Sequence, residues 1–101
     1  MAIVVLVTIP EDKAKSLAEL LLKAKVCACV NIIPAVRSYF WWEGKIDQAN
    51  EAILMIKTRD ELFLKVKKVV KDNHPYTVPE IIAVKISKIN SEYLGWLESV
   101  C

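Results

Sequence analysis

A chain of 101 residues is long enough for one hydrophobic core, and we expect one domain spanning residues 1–101. Its hydrophobic fraction of 54% and charged fraction of 26% exclude an intrinsically disordered chain. The formal net charge of +2 excludes the strongly basic composition of a nucleic-acid-binding protein. No apolar run approaches the ~18 residues of a membrane span, and the first residues lack a signal-peptide pattern. We therefore expect a cytoplasmic protein with neither nucleic acid nor membrane as partner.

The first predicted elements are a buried strand and an amphipathic helix. Residues 2–7 are continuously apolar and mostly β-branched, which is typical of a central strand covered on both faces. Thr8 and Glu11 have the spacing of a capping box, and Pro10 suits the first turn of a helix. A helix is predicted from there to about Lys25, with an apolar stripe formed by Ala14, Leu17, Ala18, Leu21 and Leu22.

The middle of the chain predicts a long β-hairpin. Residues 27–42 form an extended run that Pro34 interrupts, and a proline inside a strand marks a bulge, an edge or a break. Residues 45–58 form the returning arm. The Glu43-Gly44 pair between the arms predicts a two-residue turn, in which the glycine adopts a positive φ.

Four consecutive aromatic residues precede this turn: Tyr39, Phe40, Trp41 and Trp42. Successive side chains of a strand point to opposite faces, so both faces of the hairpin tip are apolar. A small chain cannot cover both faces by itself, and we therefore predict that these four residues form an interface between identical subunits. The alternative is that the rings line an apolar ligand pocket, and the two interpretations are compatible if pockets form between chains.

The last elements complete an α+β order. Asp60 is positioned to cap a second helix that ends near His74, residues 81–89 form a fourth strand, and Asn90 begins a short final helix. The resulting order, βαββαβ followed by a C-terminal helix, predicts a ferredoxin-like fold with an antiparallel sheet.

The three cysteines predict free thiols. Their number is odd, and Cys27 and Cys29 lie two residues apart on an extended segment, an orientation unsuited to a disulfide. With Cys101 as the only other cysteine, there is no second pair of the kind that builds a zinc site. We expect buried thiols in a reducing compartment.

The candidate metal ligands are His74, the only histidine, and Glu80. Imidazole and carboxylate both bind divalent metals, but a site requires three or four ligands, which related chains in an assembly would have to complete. The alternative is a histidine that only ends a helix, favoured there by exposed carbonyl groups. No catalytic residue is predicted, because the serines lack a nucleophile-elbow context and no glycine-rich phosphate loop exists.

Four segments together resemble the CutA family of divalent-cation tolerance proteins. They are Cys-Val-Asn-Ile at 29–32, Tyr-Phe-Trp-Trp-Glu-Gly-Lys-Ile at 39–46, His-Pro-Tyr-Thr-Val-Pro-Glu-Ile-Ile at 74–82 and Tyr-Leu-Gly-Trp-Leu at 93–97. The resemblance implies a cytoplasmic homotrimer of ferredoxin-like subunits, similar to the PII signalling proteins, in which long hairpins join sheets across chains. It implies no enzymatic reaction.

The resemblance also implies a copper site made of a thiol at the end of the first strand, a histidine before the His-Pro-Tyr motif and the glutamate of the Pro-Glu pair. Only Glu80 matches, because Val7 and Asn73 occupy the other positions and His74 is a substitute ligand. We therefore expect no required cofactor and weak binding of copper or another divalent cation between subunits. The alternatives are a PII-like trimeric sensor or scaffold that binds a small metabolite or protein partner, and a hydrolase with His74 or Glu80 as base.

Overall fold

The computed structural model describes residues 1–101, and it confirms the predicted α+β order. Its strands are β1 (Ala2–Pro10), β2 (Cys29–Trp42), β3 (Lys45–Arg59) and β4 (Ile82–Lys85). Its helices are α1 (Glu11–Lys23), α2 (Phe63–Asn73) and α3 (Ser91–Val100), with a short 3₁₀ turn over Asp60–Leu62. The four strands form one antiparallel sheet in the order β2-β3-β1-β4.

The main core lies between the sheet and the first two helices. Alternate residues of β1 are buried, as expected for a period of two, and the same alternation continues in β3. The apolar stripe of α1 and two valines of α2 pack against them. The largest fully buried members of this core are Ile3, Val5, Val7, Ile9, Leu17, Leu21, Leu54, Ile56, Val66 and Val70.

The opposite face of the sheet is only partly covered. Helix α3 contributes Leu97, which is fully buried outside the main core, and its Tyr93 ring lies 6.0 Å below the ammonium of Lys57 in β3. Towards the β4 edge the same face is open, where Ile82 and Val84 are 50% and 53% exposed. This side of the sheet therefore presents apolar surface that one chain does not bury.

Strands β2 and β3 continue beyond the rest of the sheet as a two-stranded ribbon. The pairing of β1 with β3 ends at Pro10 opposite Glu51, whereas β2 and β3 stay paired as far as Trp42 opposite Lys45. The longest dimension of the chain is 45 Å, against 26 and 23 Å for the other two. The predicted turn is confirmed, because Glu43 and Gly44 have φ values of 50° and 78°.

The predicted irregularity at Pro34 is also confirmed. The register between β2 and β3 shifts between Ile33 and Val36, and Ala35 adopts a φ of 58°. The one extra residue in β2 changes which of its side chains share a face, so Val36 and Glu51 become direct partners. The bulge thus sets the orientation of every side chain in the outer half of the hairpin.

Several predicted boundaries were wrong. Thr8 makes no capping box, because it remains in β1 paired with Ile53. Pro10 is the last residue of β1 and directly precedes α1, which has no side-chain cap bond. Strand β4 spans four residues instead of 81–89, because Ile86 donates to the carbonyl of Ala2, where β1 begins and offers no further partner.

The ends of the helices and the start of β2 also differ from the predicted ones. Asp60 forms a 3₁₀ turn ahead of α2 without a side-chain cap bond, and Asn90 begins α3 through its main-chain carbonyl alone. Helix α1 ends at Lys23, since Lys25 has a positive φ of 60°. Strand β2 begins at Cys29, so Cys27 precedes the strand and packs in the main core.

Candidate functional site

The loop between α2 and β4, residues 74–81, carries both predicted metal ligands. Helix α2 ends at Asn73, and His74 is extended with φ −95° and ψ 139°. A proline disfavours the helical conformation of the residue before it, so Pro75 explains why the helix ends ahead of His74. The loop then crosses the end of β1 towards the base of the hairpin.

His74 fixes this loop with both ring nitrogens. Its Nε2 lies 2.7 Å from the carbonyl oxygen of Thr8, and the main-chain N–H of Tyr76 donates to its Nδ1 at 3.1 Å. A carbonyl oxygen only accepts, so Nε2 carries the proton and Nδ1 is the acceptor. The ring therefore has no free nitrogen for a metal unless one of these hydrogen bonds breaks.

Tyr76 connects the loop to a buried carboxylate in β3. Its hydroxyl donates a 2.7 Å hydrogen bond to Oε2 of Glu51, whose side chain is only 4% exposed. Burial, followed by the hydrogen bond and the charge of Glu51, raises the pKa of Tyr76 to about 12. The ring of Tyr76 also packs against His74, with a centroid distance of 4.8 Å.

Glu51 is a site residue that the sequence analysis missed. It precedes the apolar run at 52–56 and occupies the last position before the ribbon leaves β1. Its burial breaks the alternation of β3, because Ala52 is buried on the other face of the strand and Glu51 is covered by Tyr76 of the distant loop. The only sequence signal is a charged residue at the start of a buried strand, and the burial itself depends on the distant loop at 74–81.

The loop and the base of the hairpin enclose an open cavity of about 820 Å³. Strand β1 contributes Thr8 to its lining, and the hairpin contributes both aromatic and acidic side chains. Its principal lining residues are Phe40, Trp42, Asp47, Glu51, Tyr76 and Glu80. None of the residues that line it is a lysine, an arginine or a histidine.

The two predicted metal ligands are placed differently. Glu80 lines the cavity, whereas His74 bonds to Thr8 and does not line it. No group of three or more histidine, cysteine, aspartate or glutamate side chains is arranged to hold a metal ion. Val7, at the position where the family resemblance implies a thiol, is fully buried in the main core.

The predicted interface aromatics are all exposed in the single chain, with Trp41 at 73% and Tyr39 at 63%. Phe40 and Trp42 share one face of the ribbon and line the cavity, as Tyr39 also does, whereas Trp41 does not. All three cysteines are free, as predicted, but the expectation of buried thiols is correct only for Cys27, because Cys29 and Cys101 are partly exposed. None of the helices has the length and apolar character required to cross a lipid bilayer.

Comparison with known proteins agrees with this architecture. The sequence profile of the family described as CutA1 divalent ion tolerance protein matches residues 3–100. The divalent-cation tolerance protein CutA of Thermus thermophilus is 45% identical over 95 residues, covering 93% of this chain and 92% of that protein. The chloroplastic protein CutA 1 of Oryza sativa is 46% identical, with 97% of this chain and 56% of that protein covered.

The solved structures show the same relationship. The structure of the Thermus thermophilus divalent cation tolerance protein superposes with a TM-score of 0.96 at 44% identity, covering 99% of this chain and 98% of that chain. This agreement includes the long hairpin and the terminal helix, since nearly every residue of both chains is aligned. The chain belongs to the CutA1 divalent ion tolerance protein family.

Proposed function

We propose that this chain acts as a homotrimeric, non-enzymatic divalent-cation tolerance protein that requires no cofactor and binds copper or another divalent cation weakly near His74 and Glu80. The observation that carries the proposal is the projecting ribbon with aromatic side chains on both faces. An isolated two-stranded hairpin is at best marginally stable in water. The ribbon therefore needs a second surface to cover it.

Each chain also has an exposed apolar surface for the aromatic ribbon of a neighbouring chain. Strand β4 is an edge strand, and Ile82 and Val84 leave an apolar face exposed beside it. A hairpin tip that contacts a different surface on the next chain makes a head-to-tail interface, and such interfaces form a closed ring when the rotation from one chain to the next closes. A ring of three covers every hairpin and every open sheet face, which supports the homotrimer that the family resemblance implies.

The assembly is tested by measuring mass in dilute solution by analytical ultracentrifugation. We expect a particle of three times the 11.4 kDa chain mass. Replacing Trp41 or Trp42 by alanine should weaken assembly by about 2 kcal/mol or more per interface if the rings are buried anchors. Leu64→Ala is the matched control, because Leu64 is 68% exposed on α2, away from the ribbon. A folded single subunit would overturn the trimer.

Weak metal binding follows from the state of the two candidate ligands. Glu80 is exposed on the loop and lines the cavity, so its carboxylate is accessible to a cation. His74 must give up a hydrogen bond to Thr8 or Tyr76 before either nitrogen binds metal, which reduces its affinity. A tight site needs three or four convergent ligands, and one chain provides at most these two.

The metal proposal is tested by calorimetric titration with Cu²⁺ and with Zn²⁺. We expect weak binding that decreases in Glu80→Ala and in His74→Ala, while Glu92→Ala, in the first turn of α3, leaves it unchanged. Unaltered binding in both loop variants would remove these residues from the site. Because His74 also fixes the loop, the Glu80 variant provides the cleaner comparison.

A second candidate function is a PII-like sensor or scaffold that binds a small metabolite or a protein partner, with metal binding incidental. The cavity of about 820 Å³ favours it, since pockets of this size hold metabolite-sized ligands. A ligand that binds only the folded protein raises its unfolding temperature by mass action. A broad panel of metabolites that produces no thermal shift would contradict this function.

A further inference from the structure

The sheet face opposite the main core is apolar beside β4 and basic on β3. Lys57, Val4 and Val84 are direct lateral partners on three neighbouring strands, so their side chains point to the same face. With strands about 4.8 Å apart, Lys57 stands about 10 Å from Val84. The next row of this face is apolar throughout and consists of Met55, Leu6 and Ile82. An occupant of this face therefore meets an apolar floor bordered by the ammonium group of Lys57.

Lys57 has no anionic partner within its own chain. None of the ion pairs of the chain involves it. Its ammonium lies 6.0 Å from the centre of the Tyr93 ring, at the outer limit of a cation–π contact. Glu51, the nearest carboxylate on the same face of β3, is six residues away, about 20 Å along the strand. Because Lys57 is only half-buried, a carboxylate from another chain can reach it.

The two faces of the ribbon formed by β2 and β3 carry opposite formal charge. On one face, Phe40 is the direct partner of Asp47 and Trp42 is the direct partner of Lys45. Glu51 belongs to this face as well, so its net charge is negative. The other face has one charged residue, a cation, and consists of Arg37, Tyr39, Trp41, Ile46, Gln48 and Asn50.

Charge selects the face with Phe40 and Asp47 for contact with a neighbouring sheet. The face with Arg37 would bring a second cation to Lys57, and like charges at an interface are unfavourable. Asp47 is exposed and makes no ion pair in its own chain. Its Oδ1 accepts the main-chain N–H of Gln48 at 2.8 Å, and its Oδ2 has no hydrogen bond within the chain.

The spacing of the two surfaces also matches. Direct partners in an antiparallel pair are about 5 Å apart, so a Phe40 ring placed on the apolar floor puts Asp47 one strand spacing to its side. On the sheet, Val4 is separated from Lys57 by the same single strand spacing. Glu51 does not suit this role, because it is only 4% exposed and already hydrogen-bonded.

We propose that Asp47 of each chain forms an ion pair with Lys57 of the partner subunit, while Phe40 and Trp42 pack on the apolar floor beside it. The inference rests on the homotrimer of the proposed function and names the contact that fixes how its chains dock. An ion pair at the border of an apolar contact adds specificity more than affinity, because it disfavours every docking that brings like charges together. The pair therefore determines which face of the ribbon meets the next sheet.

The test is charge reversal followed by sedimentation equilibrium, at low ionic strength and in the urea concentration at which the wild-type trimer is half dissociated. Asp47→Lys and Lys57→Asp should each raise the chain concentration needed for half assembly by at least ~10-fold, because every seam then holds two like charges. The variant that carries both substitutions should return to within ~3-fold of wild type, because each seam regains a pair of opposite sign. Asp12→Lys, in the exposed first turn of α1, is the control and should leave assembly unchanged.

Neutral substitutions keep the test decisive if Lys57→Asp fails to fold. Asp47→Asn and Lys57→Met, alone and combined, form a double-mutant cycle, in which the combined loss should be at least ~3-fold smaller than the product of the single losses. Losses that simply multiply, or no recovery in the charge-swapped variant, would overturn the inference while leaving the trimer intact. A wild-type protein that is a folded single subunit would overturn the proposed assembly itself, and the inference with it.

Discussion

The hydroxyl of Thr58 donates a 2.7 Å hydrogen bond to the main-chain carbonyl of Val26. Thr58 is fully buried in β3, and Val26 lies in the segment that joins α1 to β2. The bond thus satisfies two buried polar groups and attaches that connection to the sheet. It is one of the few polar interactions inside the main core.

Thr58→Val tests this bond because it keeps the shape of the side chain and removes the donor. We expect the free energy of unfolding to fall by about 1–3 kcal/mol, since the carbonyl of Val26 is left buried without its partner. Chemical denaturation measures the change. The control is Thr8→Val in β1, at a half-buried position whose hydroxyl makes no hydrogen bond in the chain, and equal losses at the two positions would contradict the prediction.

The hairpin turn provides a second prediction. Glu43 holds a φ of 50°, which is unfavourable for a side chain other than glycine, asparagine or aspartate. Glu43→Asn should therefore raise the free energy of unfolding by about 0.5–1 kcal/mol. Gly44→Ala should lower it by about 1 kcal/mol through backbone strain alone, because no atom lies within 4 Å of an added Cβ. Denaturant unfolding of both variants measures these free energies. If the two substitutions changed the free energy of unfolding in the same direction, backbone strain at the turn would not explain the changes.

The features that the sequence predicted correctly are those determined by neighbouring residues. The alternation in β1, the turn at Glu43-Gly44 and the bulge after Pro34 each depend on a few adjacent residues. Strand pairing overrides such local preferences, as Thr8 shows. It remains in β1 opposite Ile53 instead of capping α1, because its main chain gains a full partner in the sheet.

The candidate site was less predictable because its contacts join distant segments. The bond between His74 and Thr8 spans 66 residues, and the one between Tyr76 and Glu51 spans 25. The sequence indicates that His74 and Glu80 are chemically competent. Only the fold shows that both ring nitrogens of His74 are hydrogen-bonded and that Glu51 is a buried carboxylate facing a cavity.

The thiols should react with alkylating reagents in a defined order. Burial, together with the neighbouring thiols of Cys101 and Cys29, raises the pKa of Cys27 to about 12, so its reactive thiolate is scarce near neutral pH. Cys29 and Cys101 are partly exposed. With iodoacetamide at pH 8, Cys29 and Cys101 should be modified at least ~10-fold faster than Cys27.

A variant that combines Cys29→Ser with Cys101→Ser isolates the buried thiol for this measurement. Intact mass spectrometry should show slow modification in native buffer and rapid modification in denaturant. The matched control combines Cys27→Ser with Cys101→Ser and leaves only Cys29. Comparable native rates in the two variants would show that Cys27 is accessible.

The hydrogen bond between Tyr76 and Glu51 predicts a loss of stability at alkaline pH. The pKa of Tyr76 is raised from 10.0 to about 12 in the folded protein, so the unfolded chain releases this proton first as the pH rises. The native state then binds more protons, and its stabilisation, complete below pH 10, decreases as the pH approaches 12. Because Tyr76 is 38% exposed, solvent screening keeps the loss of stability well below the value that the whole pKa shift would give.

Tyr76→Phe separates this contribution from those of other groups that titrate at alkaline pH, because it removes the ionisable hydroxyl and keeps the ring. At pH 8 the variant should be less stable by about 1–2 kcal/mol, since Glu51 loses its only hydrogen-bond donor. From pH 9 to pH 12 the difference between variant and wild type should narrow, because ionisation of Tyr76 breaks the same bond in the wild type. The wild-type protein and Tyr76→Phe are compared in the same series of buffers. Denaturant unfolding across this pH range measures both, and parallel curves for wild type and Tyr76→Phe would contradict the role assigned to this bond.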